Sequence, residues 1–244
     1  MIDRADYDAV SFDVYGTILD WEPDIAAFLT SWAEANGLDL TARQLLEAYD
    51  RLRRPIQELR PALLYPEVVK RTLDALGEAF GQAFSHLERE AFGGIAATHR
   101  PFSDSVAALD ALRAMGLTLA ALSNIDDRSF NIATNNAGIG FDVVVTAERV
   151  GAYKPDPVHF RTALSDLEAR GIPKQRVLHV AQSRRADIVP ANALSLACVW
   201  VNRPGHIFGR SGDGAESAKP NFEVESLEHL VRVLGGPGDS KPDQ

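Results

Sequence analysis

Four places along the chain carry side chains able to do covalent chemistry, each shortly after a brief apolar run. Asp13 opens Asp13-Val14-Tyr15-Gly16-Thr17, and Ser123-Asn124 follows the run 117–122. Lys154 stands in Tyr153-Lys154-Pro155-Asp156, and Asp187 ends Gln182-Ser183-Arg184-Arg185-Ala186-Asp187. A carboxylate, a hydroxyl with an amide, an ammonium and a second carboxylate can supply a nucleophile, anion-binding donors, a charge anchor and a base for water. Each also has a plainer use. Asp13 could bond its own turn, Ser123-Asn124 could cap a helix beginning near Asp126, Lys154 could be a solvated charge, and Asp187 could complement a helix dipole. Recurrence at four strand ends favours one shared site.

The elements that must position these residues follow from hydrophobic patterning. Residues 7–14 read as a buried strand stopped by Gly16-Thr17, and similar runs recur at 117–122, 143–146, 177–181 and 197–201. Between them, 103–115 and 157–170 read as helices ended by Gly116 and Gly171, where a left-handed cap is wanted. Alternating strand and helix predicts an α/β fold with a parallel sheet covered on both faces, its ligand site beyond the carboxyl ends of the strands. Residues 18–100 break that rhythm. Ile25, Phe28, Leu29 and Trp32 follow helical spacing, Thr41 with Gln44 and Ser85 with Glu88 form capping-box patterns, and no strand is evident. The expected division is a core of 1–17 and 101–234, an inserted all-helical cap of 18–100, and a loose Gly/Pro-rich tail of 235–244.

Composition bounds the function class. With 45% hydrophobic and 24% charged residues, the 244-residue chain can bury a large core and is neither disordered nor fibrous. Lys and Arg number 25 against 34 Asp and Glu, a net charge of −9, which disfavours nucleic acid and anionic membranes as partners. A few cations in a closed cleft still permit a small anionic substrate. The single cysteine, Cys198, lies in an apolar run and reads as core; so does His179, and the other histidines lack metal spacing. No apolar stretch approaches about 18 residues, so a cytoplasmic protein is expected, with a homodimer left open.

The four motifs, in this order, resemble those of the haloacid dehalogenase superfamily, and the likeness covers nearly the whole chain. It implies a Rossmann-like core with a helical cap inserted after the first strand and a covalent mechanism through Asp13. In the superfamily's phosphatases, the residue two after the nucleophile is a second Asp that protonates the leaving oxygen, and another acid after the fourth strand helps hold Mg2+. Tyr15 and Gln182 occupy those places here. A neutral amide is a poor ligand for a hard cation, and a phenol is a weak acid for an alkoxide leaving group. Both residues suit a halide, which leaves without a proton, and a nucleophile that needs no cofactor.

Asp-x-Tyr-Gly-Thr is similar to the form found in L-2-haloacid dehalogenases. That resemblance implies that Asp13 attacks the halogen-bearing carbon while Asn124 and a cap arginine, Arg53 or Arg54, receive the halide. Lys154 then neutralises Asp13, and Asp187 activates water against the ester. Ser123 and backbone N–H groups near Tyr15 hold the substrate carboxylate, and Gln182 or Ser183 orients the water. Two departures from the pattern stand out: Phe160 replaces a usual Tyr, and Ala181-Gln182-Ser183-Arg184 replaces a Ser-Ser-Asn run. Arg53 and Arg54 could equally lie on a solvated helix face. A Mg2+-dependent phosphatase working through Asp13 and Asp187 and a non-catalytic small-anion binder remain as alternatives.

Overall fold

The computed structural model describes residues 2–235 apart from Ser211 and Asp213. Strands β1 (Ala9–Phe12), β2 (Leu19–Asp20), β3 (Arg100–Pro101), β4 (Thr118–Ser123), β5 (Val143–Thr146), β6 (Val177–Ala181), β7 (Ala197–Val201) and β8 (Phe222–Val224) form two sheets. Six of them pair in parallel in the order β5-β4-β1-β6-β7-β8. The chain thus builds outward from β1 to β4 and β5, then returns to the other side of β1 for β6 to β8. That reversal opens a crevice at the carboxyl end of β1.

Among the described residues, ten α-helices accompany these strands. They are α1 (Glu22–Ala35), α2 (Ala42–Gln57), α3 (Tyr65–Phe80), α4 (His86–Gly93), α5 (Ser105–Ala114), α6 (Asp127–Ala137), α7 (Ala147–Val150), α8 (Val158–Glu168), α9 (Val189–Ala193) and α10 (Leu227–Val233). Strand alternation divides the core. Ala9, Leu122, Val177 and Ala181 pack with Phe160, Ala163 and Leu167 of α8, while Val10, Phe12, Leu178 and Val180 join the cluster containing Leu109 of α5 and Leu230 of α10. The second cluster continues into α1–α4 through Ile25, Leu29, Tyr49, Leu73 and Phe92, so sheet and helical block share one apolar interior. Both capping boxes form: Thr41 Oγ1 accepts from Gln44 N at 3.3 Å and Ser85 Oγ from Glu88 N at 3.2 Å, with the reciprocal bonds present.

The segment 18–100 is not wholly helical. β2 pairs antiparallel with β3, closing the neck where the chain enters and leaves the block; two-residue strands leave no periodicity to read. The cap of α6 is Asp126, whose Oδ1 accepts from Ser129 N at 2.9 Å, so Ser123-Asn124 does not cap that helix. Beyond Gly235, the expected loose tail lies outside the described residues. Among the described residues no helix is long and apolar enough to cross a membrane.

Candidate active site

Asp13 stands where β1 ends, its N–H still donating to Val180 O at 3.1 Å. The chain then turns sharply at Gly16, whose φ of 95° is in the left-handed region. That backbone conformation favours glycine, and a Cβ there would also come within 2.9 Å of Gln182 Oε1, which would have to shift. The turn brings Thr17 back beneath the carboxylate: Thr17 Oγ1 donates to Asp13 Oδ2 at 2.8 Å and accepts from Gln182 N at 2.8 Å.

Lys154 is 2% exposed and uses all three ammonium hydrogens, on Asp13 Oδ1 (2.9 Å), Asp187 Oδ1 (2.7 Å) and Leu122 O (2.7 Å). Asn124 fixes its backbone from both sides, accepting from Lys154 N at 2.6 Å and donating to Lys154 O at 3.1 Å. Burial alone would favour neutral lysine, but the two carboxylates outweigh it and push the pKa above its ordinary value. Burial pushes the Asp13 carboxyl up, against the pull of Lys154 and with the repulsion of Asp187. At Asp187 burial acts the same way, yet Lys154 and the His179 hydrogen bond outweigh it and hold that carboxyl below its usual range. The two acids around one cation therefore differ in character.

The cavity above them measures about 70 Å³ and is lined by Asp13, Tyr15, Trp21, Arg53, Asn124 and Asp187 among others. Arg53 enters from α2. Its guanidinium lies 4.7 Å from the Trp21 ring centroid and 2.6 Å from Asp50. Burial disfavours its charge, but Asp50 more than compensates and raises its pKa, so Arg53 stays cationic. Phe208 packs on Trp21 at 4.7 Å from a strap, residues 203–210, that is tied down through the buried Glu22 carboxylate. That carboxylate accepts from Ile207 N at 2.8 Å and Phe208 N at 2.6 Å. Among the described residues, Trp21 Nε1, Arg53 Nε and Asp187 Oδ2 are buried without a hydrogen-bond partner. All three belong to residues lining the cavity.

The family model for haloacid dehalogenase-like hydrolases matches residues 7–193. The chain belongs to that family. It is 32% identical over 136 residues, 55% of each chain, to the (S)-2-haloacid dehalogenase of Pseudomonas sp. (strain YL). It is 26% identical to haloacetate dehalogenase H-2 of Moraxella sp. (strain B), over 93% of this chain and 97% of that one. A phosphoglycolate phosphatase of Neisseria meningitidis is similar at 26%, over 93% of each chain. Among solved structures, L-2-haloacid dehalogenase PA0810 superposes with a TM-score of 0.72 at 26% identity, over 93% of this chain and 98% of that one.

In this hydrolase the cavity gathers Asp13, Tyr15, Asn124, Lys154, Gln182, Ser183, Asp187 and Arg53. Two expected residues are not in its lining. Ser123 remains in the β4 ladder opposite Thr146, buried, with Asn124 beyond it; Arg54 pairs with Asp50 outside the cavity. Tyr15 lines the cavity, but its hydroxyl donates to Ala96 O at 2.9 Å, and burial holds its pKa well above that of free phenol. Ser183 Oγ accepts from Ala186 N at 3.1 Å, capping the π-helical turn, Arg184–Ile188, that presents Asp187. Gln182 Nε2 donates to Phe208 O. Arg185 reaches Glu58 at 2.7 Å and Arg184 lies over the Trp200 ring, so neither enters the cavity. Trp21, Tyr65 and Gly209 are lining residues not singled out in the sequence. Trp21 directly follows β2, nine residues past the end of β1, and no pattern in the sequence marks it.

Proposed function

We propose that this hydrolase removes halogen from short L-2-haloacids through an ester on Asp13, without a metal ion. The observation that carries this reading is the set of polar atoms left unpaired among the cavity residues. Trp21 Nε1 and Arg53 Nε are donors suited to an anion, and Asp187 Oδ2 is an acceptor suited to a water proton. One Asp13 oxygen attacks the carbon bearing halogen, and halide leaves with the bonding pair toward Arg53 and Asn124. Water then adds to the ester carbonyl as Asp187 takes its proton. Collapse releases an alkoxide that takes the proton from Asp187, and Asp13, now holding the water oxygen, gives the second water proton to solvent and is again a carboxylate. A base in this role contributes about 10²–10⁴-fold.

Size and charge support the substrate class. A cavity of about 70 Å³ is small, suiting a substrate of a few heavy atoms rather than a large phosphorylated metabolite. The names of the Pseudomonas and Moraxella relatives point the same way. The donor set fits Mg2+ poorly. Lys154 already bridges Asp13 and Asp187, Gln182 supplies an amide, and no group of three His, Cys, Asp or Glu converges among the described residues. The test is halide release from L-2-chloropropionate with excess chelator. The rate is expected to be unchanged; activity lost on chelation and restored by Mg2+ would overturn the metal-independent reading.

The pH profile carries a second expectation. A carboxyl raised by burial stays protonated, and so non-nucleophilic, to a higher pH than free aspartate at about 3.9. The acid limb of kcat/KM should therefore lie above that value, and Thr17→Val, which removes a donor to Oδ2, should move it higher still. A limb that Thr17→Val leaves in place or lowers would contradict the assignment of the limb to Asp13.

A further inference from the structure

His179 is fully buried in β6 and lies directly opposite Ser11 in the parallel β1–β6 register. Their side chains share the face that carries Asp13 two residues further along β1. Ser11 Oγ lies 3.0 Å from His179 Nδ1, and His179 Nε2 lies 3.3 Å from Asp187 Oδ1. Phe160 meets the imidazole edge-on at 4.8 Å and limits its rotation. An ionised carboxylate only accepts, so Nε2 carries the hydrogen in this contact and the rotatable Ser11 hydroxyl completes the Nδ1 side.

The consequence lies at Asp187. Lys154 and His179 both address Oδ1, while Oδ2 is left buried and unpartnered. Lys154 alone is one contact from one side, about which the carboxylate can still pivot. A second donor on the same oxygen fixes the plane of the carboxylate and with it the direction of Oδ2. We propose that His179, set by Ser11, is a positioning residue for ester hydrolysis: it holds Asp187 so that Oδ2 is the oxygen that receives the proton from water. This rests on the aspartyl-ester reading, and it assigns His179 to the second step alone. His179 is not among the residues that line the cavity, and its role runs through Asp187.

Rapid-quench single turnovers with L-2-chloropropionate, followed by mass spectrometry of the Asp13 peptide, give the rates of ester formation and decay separately. In His179→Leu, formation should stay within about twofold of the parent while decay slows at least about tenfold, a part of the roughly 10²–10⁴-fold that a positioned base contributes. His179→Gln, which keeps an N–H donor, should recover most of the decay rate. Ser11→Ala should slow decay in the same direction by a smaller factor. A merely structural role would slow both steps together, and that result, or unchanged decay in His179→Leu, overturns the proposal. If His179→Leu does not fold, unchanged decay in Ser11→Ala overturns it. A parent enzyme that never forms the Asp13 ester removes the underlying reaction instead, and the assigned step with it.

Discussion

Asp13→Asn is expected to fold as the parent does and to lose at least about 10⁴-fold in kcat, as removal of a covalent nucleophile does. The substitution is isosteric and takes away the anion without opening a cavity. Lys154 keeps Asp187 and the Leu122 carbonyl as acceptors, so its buried charge stays paired. The repulsion between the two carboxylates disappears at the same time. Little change in melting temperature should therefore accompany near-complete loss of halide release. A folded variant that retains more than about one part in a hundred of the activity would exclude Asp13 as the nucleophile.

The second large effect separates two neighbouring arginines. Asp50 sits three and four residues before Arg53 and Arg54 on α2 and pairs with both, but only Arg53 lines the cavity. Arg53→Met keeps much of the aliphatic stem against Trp21 while removing the cation, so it tests charge rather than packing. A loss of about 10²–10³-fold in kcat/KM is expected, the size seen when one donor to a developing anion is removed. Arg54→Met, breaking a partly exposed pair, should cost less than about fivefold. Steady-state halide release from both variants decides the matter: equal mild losses would place neither arginine on the anion.

What the sequence carries about this site depends on how local the determining physics is. Asp13, Lys154 and Asp187 were legible because each follows an apolar run, and parallel strands bring such positions to one edge of the sheet. The capping boxes were legible for the same reason, both partners lying within one turn of helix. Arg53 and Arg54 could not be separated, since what distinguishes them is the Trp21 and Phe208 rings contributed by distant segments. Ser123 and Asn124 differ by a single step at the strand end: one is still in the ladder and the other is past it. The strap 203–210 has no periodicity, and its anchor is a carboxylate far away in sequence on α1. His179 read as core and is core, but its contacts to Ser11 and Asp187 depend on strand register, which spacing alone does not reveal.

Oxygen transfer tests the covalent account most directly. In a single turnover with enzyme in excess over L-2-chloropropionate in 18O-water, the proposed route has water attack the carbonyl carbon of the Asp13 ester. The released hydroxy acid should then carry unlabelled oxygen taken from Asp13, and the peptide containing Asp13 should gain one heavy oxygen. Labelled hydroxy acid beside an unlabelled Asp13 peptide would mean that water attacks the halogen-bearing carbon itself, and would contradict the aspartyl ester.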